Sequence, residues 1–117
     1  MFGFEKLEVW KKAIKFCELV FEIAESLPKL YQFSISNNLI KAVVSIPNNI
    51  AEGVGRKSKK EANNFYNIAK GSVYESMNII IILNKKLLIG KENYDKAYKD
   101  AEELSKMLTG LMKSNEK

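Results

Sequence analysis

The segment SIPNNIAEGVGRKSKKE, residues 45–61, decides how the chain is organised. It contains the end of one predicted helix, a turn, and the start of the next helix. Gly53 suits the C-terminal cap of the first of these helices. Ser58 and Glu61 have the spacing of a capping box, in which the serine oxygen accepts from a free backbone N–H and the glutamate reaches back to another. The segment therefore predicts two consecutive helices joined by a short basic turn.

Working outward from this segment, apolar residues recur at intervals of three and four and predict four helices, with no convincing strand. Pro28 ends the first helix, because proline cannot continue one. Short connections between long helices favour an all-α, antiparallel up-down four-helix bundle, with residues 1–117 as a single domain. The predicted helices cover about 5–27, 36–53, 58–89 and 93–112.

Pro47 falls inside the second predicted helix. A proline there has no N–H for the residue four positions back and crowds the preceding turn, which costs about 3 kcal/mol. The carbonyl of Val43 therefore loses its usual partner, and we expect a kinked helix. Ser45 or a polar side chain of the third helix is the expected replacement donor. Cys17 lies on the apolar seam of the first helix and is expected to be a core residue.

The composition argues against several classes of function. The chain has no histidine and one cysteine, so the commonest general base is absent, no intrachain disulfide can form, and a zinc site is not expected. We expect no enzymatic activity, no cofactor and no metal. The N-terminus lacks the pattern of a signal peptide, and no apolar run approaches the length of a membrane span. We therefore expect a cytoplasmic protein with no membrane or small-molecule partner.

The positive charge is concentrated in one part of the sequence. The formal net charge is +5, and residues 29–60 hold six basic residues against one acid, Glu52, which equals the whole excess. Such a local excess can steer an acidic partner, through a patch that contacts phosphates. The alternative is a well-solvated helix entry with no partner. The basic residues predicted to bind nucleic acid or an acidic protein are Lys41, Arg56, Lys57, Lys59 and Lys60.

A polar network is predicted between the second and third helices, and its members are Asn49, Glu52, Ser72 and Glu75. We expect Asn49 or Glu52 to hydrogen-bond across to the turn that carries the other two. Two nearby glutamates are also compatible with acid–base catalysis. Without a histidine or an obvious nucleophile, we interpret the network as structural, fixing helix register. The third helix also has small residues that allow a close approach of backbones: Ala69, Gly71, Ser72 and Ser76.

The second and third helices carry more apolar surface than one core can hide. Four consecutive isoleucines span about 400° around a helix, so they cannot all face the same core. Each one left outside would leave about 1.5–3 kcal/mol of burial unused, which favours assembly with other copies of the chain. The alternative is that scattered surface apolar residues are normal. The predicted interface residues are Ile40, Val44, Ile79, Ile80, Ile81 and Ile82.

Three segments carry a resemblance to a known family: SIPNNIAEGVGRKSKKE (45–61), AKGSVYE (69–75) and SKMLTGLMKS (105–114). They resemble the four-helix-bundle proteins encoded in intervening sequences of bacterial 23S ribosomal RNA genes. That family includes the accessory variability determinant proteins of diversity-generating retroelements. The resemblance covers nearly the whole chain, and it implies a bundle that assembles as a homopentameric barrel without enzymatic activity. In the retroelement branch it implies binding to a reverse transcriptase and to nucleic acid through basic surfaces.

One position departs from the family pattern, which usually has two basic residues just before Ala42. In this chain those two positions hold Ile40 and Lys41, so only one of them is basic. All basic residues of the chain but one are lysine, which is a poorer bidentate phosphate ligand than arginine. Two hypotheses of function follow. The first is a non-enzymatic homo-oligomeric binding or scaffold protein that contacts RNA, DNA or a reverse transcriptase through the basic turn. The second is a purely structural homo-oligomer or protein-interaction module that binds no nucleic acid.

Overall fold

The structure, a computed structural model that describes residues 1–117, contains four α-helices and no β-strand. The predicted all-α class is confirmed. The predicted helix bounds agree with the structure to within three residues, except at the end of the third helix. Short 3-10 turns precede the first two helices. The four helices are α1 (Glu8–Ser26), α2 (Ile35–Val54), α3 (Lys59–Lys85) and α4 (Lys91–Asn115).

Each helix packs mainly on two others. α1 contacts α2 and α4, α3 contacts the same two helices, and the contact between α2 and α3 is the most extensive. One apolar core runs through the elongated molecule, which measures 45 × 23 × 23 Å. Burial of each large apolar side chain in this core stabilises the fold by about 1.5–3 kcal/mol. Every helix contributes a side chain with no exposed surface, for example Phe16, Ile46, Ile80 and Leu104.

The start of α3 is fixed by its first turn. The backbone N–H of Glu61 donates to the Oγ atom of Ser58 over 3.1 Å, which confirms the predicted serine N-cap. The other half of the capping box differs from the prediction. The Glu61 carboxylate accepts from the Ser58 hydroxyl, at 3.1 Å, instead of from the Ser58 backbone. The cap still satisfies a backbone donor that the helix leaves free.

α3 ends at Lys85, four residues before the predicted Ile89. The cause is Leu87, which has φ 61° and is the only non-glycine residue in the left-handed region. The backbone N–H of Leu88 donates to the carbonyl of Leu83 over 3.1 Å, which closes the helix end as a left-handed residue usually does. Glycine is the common residue at such a position, so the leucine gave no sequence signal for the end of the helix.

α2 continues through Pro47, and the carbonyl that the proline leaves without a partner is satisfied from another helix. The Sγ atom of Cys17, on α1, donates to the carbonyl of Val43 over 3.3 Å. The expected donor was Ser45 or a residue of α3, and that prediction was wrong. Burial raises the pKa of the Cys17 thiol to about 11, with a smaller contribution from the charge of Glu18. The thiol is therefore protonated, and able to donate, at neutral pH.

Replacing Cys17 by alanine is expected to destabilise the protein by about 1–2 kcal/mol, because a buried carbonyl loses its donor and a small cavity forms. In a Pro47→Ala background the restored backbone N–H can serve Val43. The same Cys17→Ala change should then cost about 1 kcal/mol less. Urea unfolding of the wild type, both single variants and the double variant measures this coupling.

Strictly additive effects of the two substitutions would contradict the thiol–carbonyl hydrogen bond. The pH dependence gives an independent check. The pKa of Cys17 is raised in the folded state, so its stabilising contribution is complete below the ordinary value of 9.0 and is lost as the pH rises towards about 11. The difference in stability between the wild type and Cys17→Ala should shrink over that range.

Gly53 lies inside α2 and is not its C-terminal cap, so the predicted capping role was wrong. The cap is Gly55, whose backbone N–H donates to the carbonyls of Ala51 and Glu52 at 3.3 and 3.2 Å. A Cβ atom added to Gly53 would lie only 2.5 Å from a ring carbon of Tyr66 on α3. Gly53 therefore permits the close approach of α2 and α3, a role that had been predicted for small residues of α3 only.

Candidate functional site

The connection between α2 and α3 carries the densest group of positive charges. We call residues 56–60 the basic turn. Arg56 follows the cap of α2, and Lys57, Lys59 and Lys60 are exposed and form no salt bridge. Two of these lysines occupy the first turn of α3, where the positive end of the helix dipole makes a cation mildly unfavourable. The turn therefore presents positive charge that its own helix does not favour.

Arg56 is held in place by its neighbours. Its Nε atom donates to the backbone carbonyl of Glu52 over 3.2 Å, and its Nη2 atom donates to Oε2 of the same residue over 3.0 Å. The guanidinium also lies 5.1 Å from the ring centroid of Phe65, a cation–π arrangement. The single arginine of the chain is thus held by contacts with both α2 and α3.

A small polar cleft of about 400 Å3 opens beside Arg56. Its walls come from the last two turns of α2 and from the turn itself, and the lining residues are Asn48, Ala51, Glu52, Gly55 and Arg56. Carboxylate, carboxamide and guanidinium groups therefore share one concave surface. Glu52 was predicted to be part of a structural network with α3, and instead it forms a wall of this cleft.

Lys41 is exposed on α2, apart from the other predicted basic residues. At 1.5 Å per residue, its backbone lies about 20 Å along the helix from Val54, where α2 ends. The structure thus brings together four of the five predicted basic residues. Phe65 was not among the residues predicted for this site. Its contact with Arg56 depends on the angle between two helices, for which the sequence has no signal.

The predicted polar network is only partly present. The Nδ2 atom of Asn49 and the hydroxyl of Ser72 both donate to Oγ of Ser45, at 2.9 Å each, and this connects α2 to α3. Asn49 and Ser72 therefore belong to the network, through a residue that the prediction had not placed in it. Glu52 turns instead towards Arg56. Glu75 is exposed and makes no side-chain hydrogen bond, so its predicted membership was wrong.

The six residues predicted at an interface between copies do not behave alike. Ile80 has no exposed surface and belongs to the core of a single chain, so its assignment was wrong. Ile82 is 45% exposed, and the remaining four are half-buried against the core: Ile40, Val44, Ile79 and Ile81. One chain therefore hides more of the isoleucine run than the sequence suggested. Two other apolar side chains of α3, Ile68 and Tyr74, are more exposed than Ile82.

A shallow apolar groove of about 660 Å3 lies between α3 and α4. Its floor includes Val73 and Ala101, and Tyr74 and Tyr98 stand on its two rims, 63% and 43% exposed. The rims also carry charge of both signs, including Lys70 and Glu102. Tyrosines that combine apolar area with a polar tip are common in protein–protein interfaces, so this groove is a second candidate surface.

A partly buried ion cluster joins α1 to α4, and no local sequence pattern had indicated it. The Nζ atom of Lys12 lies 2.9 Å from Oδ1 of Asp100 and 2.7 Å from Oε2 of Glu103. Burial lowers the pKa of Lys12, but the hydrogen bonds to Glu103 and Asp100 and the charges of those groups outweigh burial, so the net shift is upward. These contacts make the cluster a structural element of the α1–α4 contact.

Two further findings concern the chain as a whole. No three His, Cys, Asp or Glu side chains converge in a way that could hold a metal ion. None of the helices combines the length and apolar character needed to cross a membrane. Four packed helices with a basic turn between the second and third define a small all-α protein without the features of a metal centre.

The chain belongs to the 23S rRNA-intervening sequence protein family, whose model matches residues 5–110. A solved structure of similar fold is described as a protein with unknown function from the S23 ribosomal protein family of Bacteroides thetaiotaomicron VPI-5482. It has a TM-score of 0.83 and 24% sequence identity, over 90% of this chain and 98% of that chain. At this identity the likeness supports the fold alone. No protein with a curated description matches the chain.

The family resemblance proposed from residues 45–61, 69–75 and 105–114 is thereby confirmed. The relation to the accessory proteins of retroelements stays a prediction. So does a reverse transcriptase as a partner, since neither the family description nor the description of the similar structure names one or the other.

Proposed function

We propose that this protein is a non-enzymatic, self-assembling binding protein that contacts the phosphates of RNA or DNA through its basic turn. The observation that carries the proposal is the state of Lys57, Lys59 and Lys60, which are exposed, adjacent, and without an acidic partner. Each such lysine can displace a condensed counterion from a nucleic acid, and this release favours binding. The local charge excess of residues 29–60 supports the same conclusion.

The proposal includes an antiparallel up-down order of the helices. In support, Ser36 at the start of α2 donates to the carbonyl of Ala24 near the end of α1, over 3.2 Å. At the far side, Asn63 near the start of α3 donates to the carbonyl of Met112 near the end of α4, over 3.0 Å. In that order the basic turn and both chain termini occupy one end of the molecule.

Self-assembly is proposed through the outer face of α3, where Ile68, Tyr74 and Ile82 are 52%, 63% and 45% exposed. Burying these side chains against another copy would recover the free energy that exposure leaves unused. The resemblance implies five copies. A ring of copies would repeat the basic turn around the assembly, and a polyanion that reaches several turns at once would gain avidity.

A second candidate function is a protein-interaction module without nucleic-acid binding. The specific observation in its favour is the groove between α3 and α4, with Tyr74 and Tyr98 on its rims. In this case the groove would receive an apolar protein segment, and the basic turn would be only a solvated helix entry.

Sedimentation of fluorescently labelled single-stranded RNA and duplex DNA with the protein, from 50 to 200 mM salt, tests the proposal. We expect the labelled nucleic acid to sediment with the protein, and this retention in the complex should fall steeply with salt. The protein mass in the complex should be about five times the 13.3 kDa chain. Changing Lys57, Lys59 and Lys60 to glutamine should reduce the logarithmic salt slope for single strands by about 2 for each basic turn that the strand contacts.

The matched control removes the same charge elsewhere, with glutamine at Lys85, Lys86 and Lys96, which are also exposed and free of salt bridges. This control should keep most of the salt slope. Absence of retention at 50 mM salt would remove nucleic-acid binding and favour the interaction module. A single 13.3 kDa species at micromolar concentration would remove self-assembly.

A further inference from the structure

The position of Arg56 restricts what it can bind. A guanidinium has five N–H donors. Two of them, one on Nε and one on Nη2, are used by Glu52 along one edge of the group. The three remaining donors include the fork formed by the two terminal nitrogens. Phe65 supports the planar group, 5.1 Å from its ring centroid. The fork is therefore free, and its position is fixed before any ligand arrives.

The charge of the cleft argues against a phosphate at this arginine. The Glu52 carboxylate is a wall of the cleft and lies 3.0 Å from the guanidinium, so it balances the arginine charge and repels an incoming anion. A ligand that fits must be neutral and must offer two neighbouring acceptors to the fork. Donors directed at the free Oε1 atom of Glu52 would add to the fit, since only Oε2 is engaged by Arg56.

Guanine offers this combination. Its O6 and N7 atoms are adjacent acceptors, which arginine contacts in a bidentate manner. Its N1–H and N2–H2 groups are donors that a carboxylate can accept. Adenine places a donor beside N7, and uracil has no two adjacent acceptors. Cytosine has an adjacent acceptor pair in N3 and O2, but only one donor group, N4–H2, against the two of guanine, so it is the competing base. The cleft of about 400 Å3 is open to solvent, so a planar base can lie against it.

We propose that the cleft formed by Asn48, Ala51, Glu52, Gly55 and Arg56 binds an unpaired guanine base. This inference rests on the proposed function, which places a nucleic acid at the basic turn, and deepens it by naming the base. The lysines of the turn would hold the backbone phosphates, and Arg56 would select the base. A base that enters a cleft must be unstacked, which single-stranded RNA allows at little cost.

Titration of the protein with GMP, AMP and CMP tests the inference, because all three ligands carry the same phosphate. Two NMR signals report on the cleft: the backbone amide of Gly55 and the Nε–Hε group of Arg56, which is the only arginine side chain in the chain. We expect GMP to bind at least about fivefold more tightly than AMP or CMP, which corresponds to one bidentate base contact. 7-Deaza-GMP lacks the N7 acceptor and should bind like AMP.

Two variants separate base reading from charge. Arg56→Lys keeps the charge but lacks the fork, so the affinities for GMP and AMP, measured from the Gly55 amide signal, should become equal. Glu52→Gln removes the repulsion of phosphate, so AMP should gain affinity and discrimination should fall. Equal binding of GMP and AMP by the wild type would overturn the inference, and so would discrimination that survives in Arg56→Lys. Neither result depends on the salt series, so failure of this inference and failure of the proposed function are distinguishable.

Discussion

Lys12→Met is expected to lower the free energy of unfolding by about 3 kcal/mol, one of the two largest effects of a single substitution that the structure predicts. Asp100 is only 7% exposed, and its Oδ2 atom has no hydrogen-bond partner. Lys12 is the cation that compensates this carboxylate, at 2.9 Å from Oδ1. Methionine preserves most of the apolar stem of the lysine, so the loss isolates the effect of a buried charge without a partner. Urea unfolding followed by circular dichroism measures it.

Two further variants serve as controls for this prediction. Glu103→Gln removes the more exposed partner of Lys12 and should have only a small effect, because exposed ion pairs contribute little. The double variant Lys12→Met with Asp100→Leu should recover most of the lost stability, since an apolar pair of similar volume can replace a buried ion pair. A double variant as unstable as Lys12→Met would show that the unpaired carboxylate is not the cause.

The pH dependence of stability should carry the signature of the same cluster. The pKa of Glu103 is lowered, first by its hydrogen bond to Lys12, so its stabilising contribution exists at neutral pH and is lost as the pH falls. The pKa of Lys12 is raised overall, despite burial, so its contribution exists below its ordinary value and is lost at alkaline pH. In Lys12→Met both of these contributions to the pH profile should disappear.

The helices could be predicted because their signals are local. Ser58 caps α3 as expected, since a serine and a glutamate three residues apart interact within one turn. The basic turn could also be predicted, because its charged residues are neighbours in the sequence. The end of α3 was missed because Leu87 adopts a left-handed conformation that leucine rarely takes.

The contacts between helices could not be predicted, because they depend on register and angle. The sequence showed that Pro47 leaves the carbonyl of Val43 without a partner, but the donor, Cys17, is 26 positions away from that carbonyl. Lys12 and Asp100 are 88 positions apart. Within the candidate site, the spacing of Glu52 and Arg56 by four residues is typical of a helical ion pair, and it was available to the sequence argument. The role of Phe65 was not, because it depends on how the two helices meet.

Gly53→Ala is expected to destabilise the protein by about 2–3 kcal/mol, although alanine is favoured over glycine in a helix by about 1 kcal/mol. The new Cβ atom would lie 2.5 and 2.9 Å from two ring carbons of Tyr66 and 3.1 Å from the backbone carbonyl of Ala62. Tyr66 is 5% exposed, and its burial, which also raises the pKa of its hydroxyl, leaves the ring little room to move. The conflict therefore pushes α2 and α3 apart along their most extensive contact.

The sign of the effect distinguishes packing from helix propensity. Gly110 lies in α4, and an added Cβ atom there meets nothing within 4 Å. Gly110→Ala should stabilise the protein by about 0.5–1 kcal/mol, and thermal unfolding of both variants compares the two. If Gly53→Ala also raised the melting temperature, the close approach of α2 to Tyr66 would not exist in solution. If it lowers the temperature as expected, the glycine of the SIPNNIAEG segment is required for the packing of α2 against α3, directly before the basic turn.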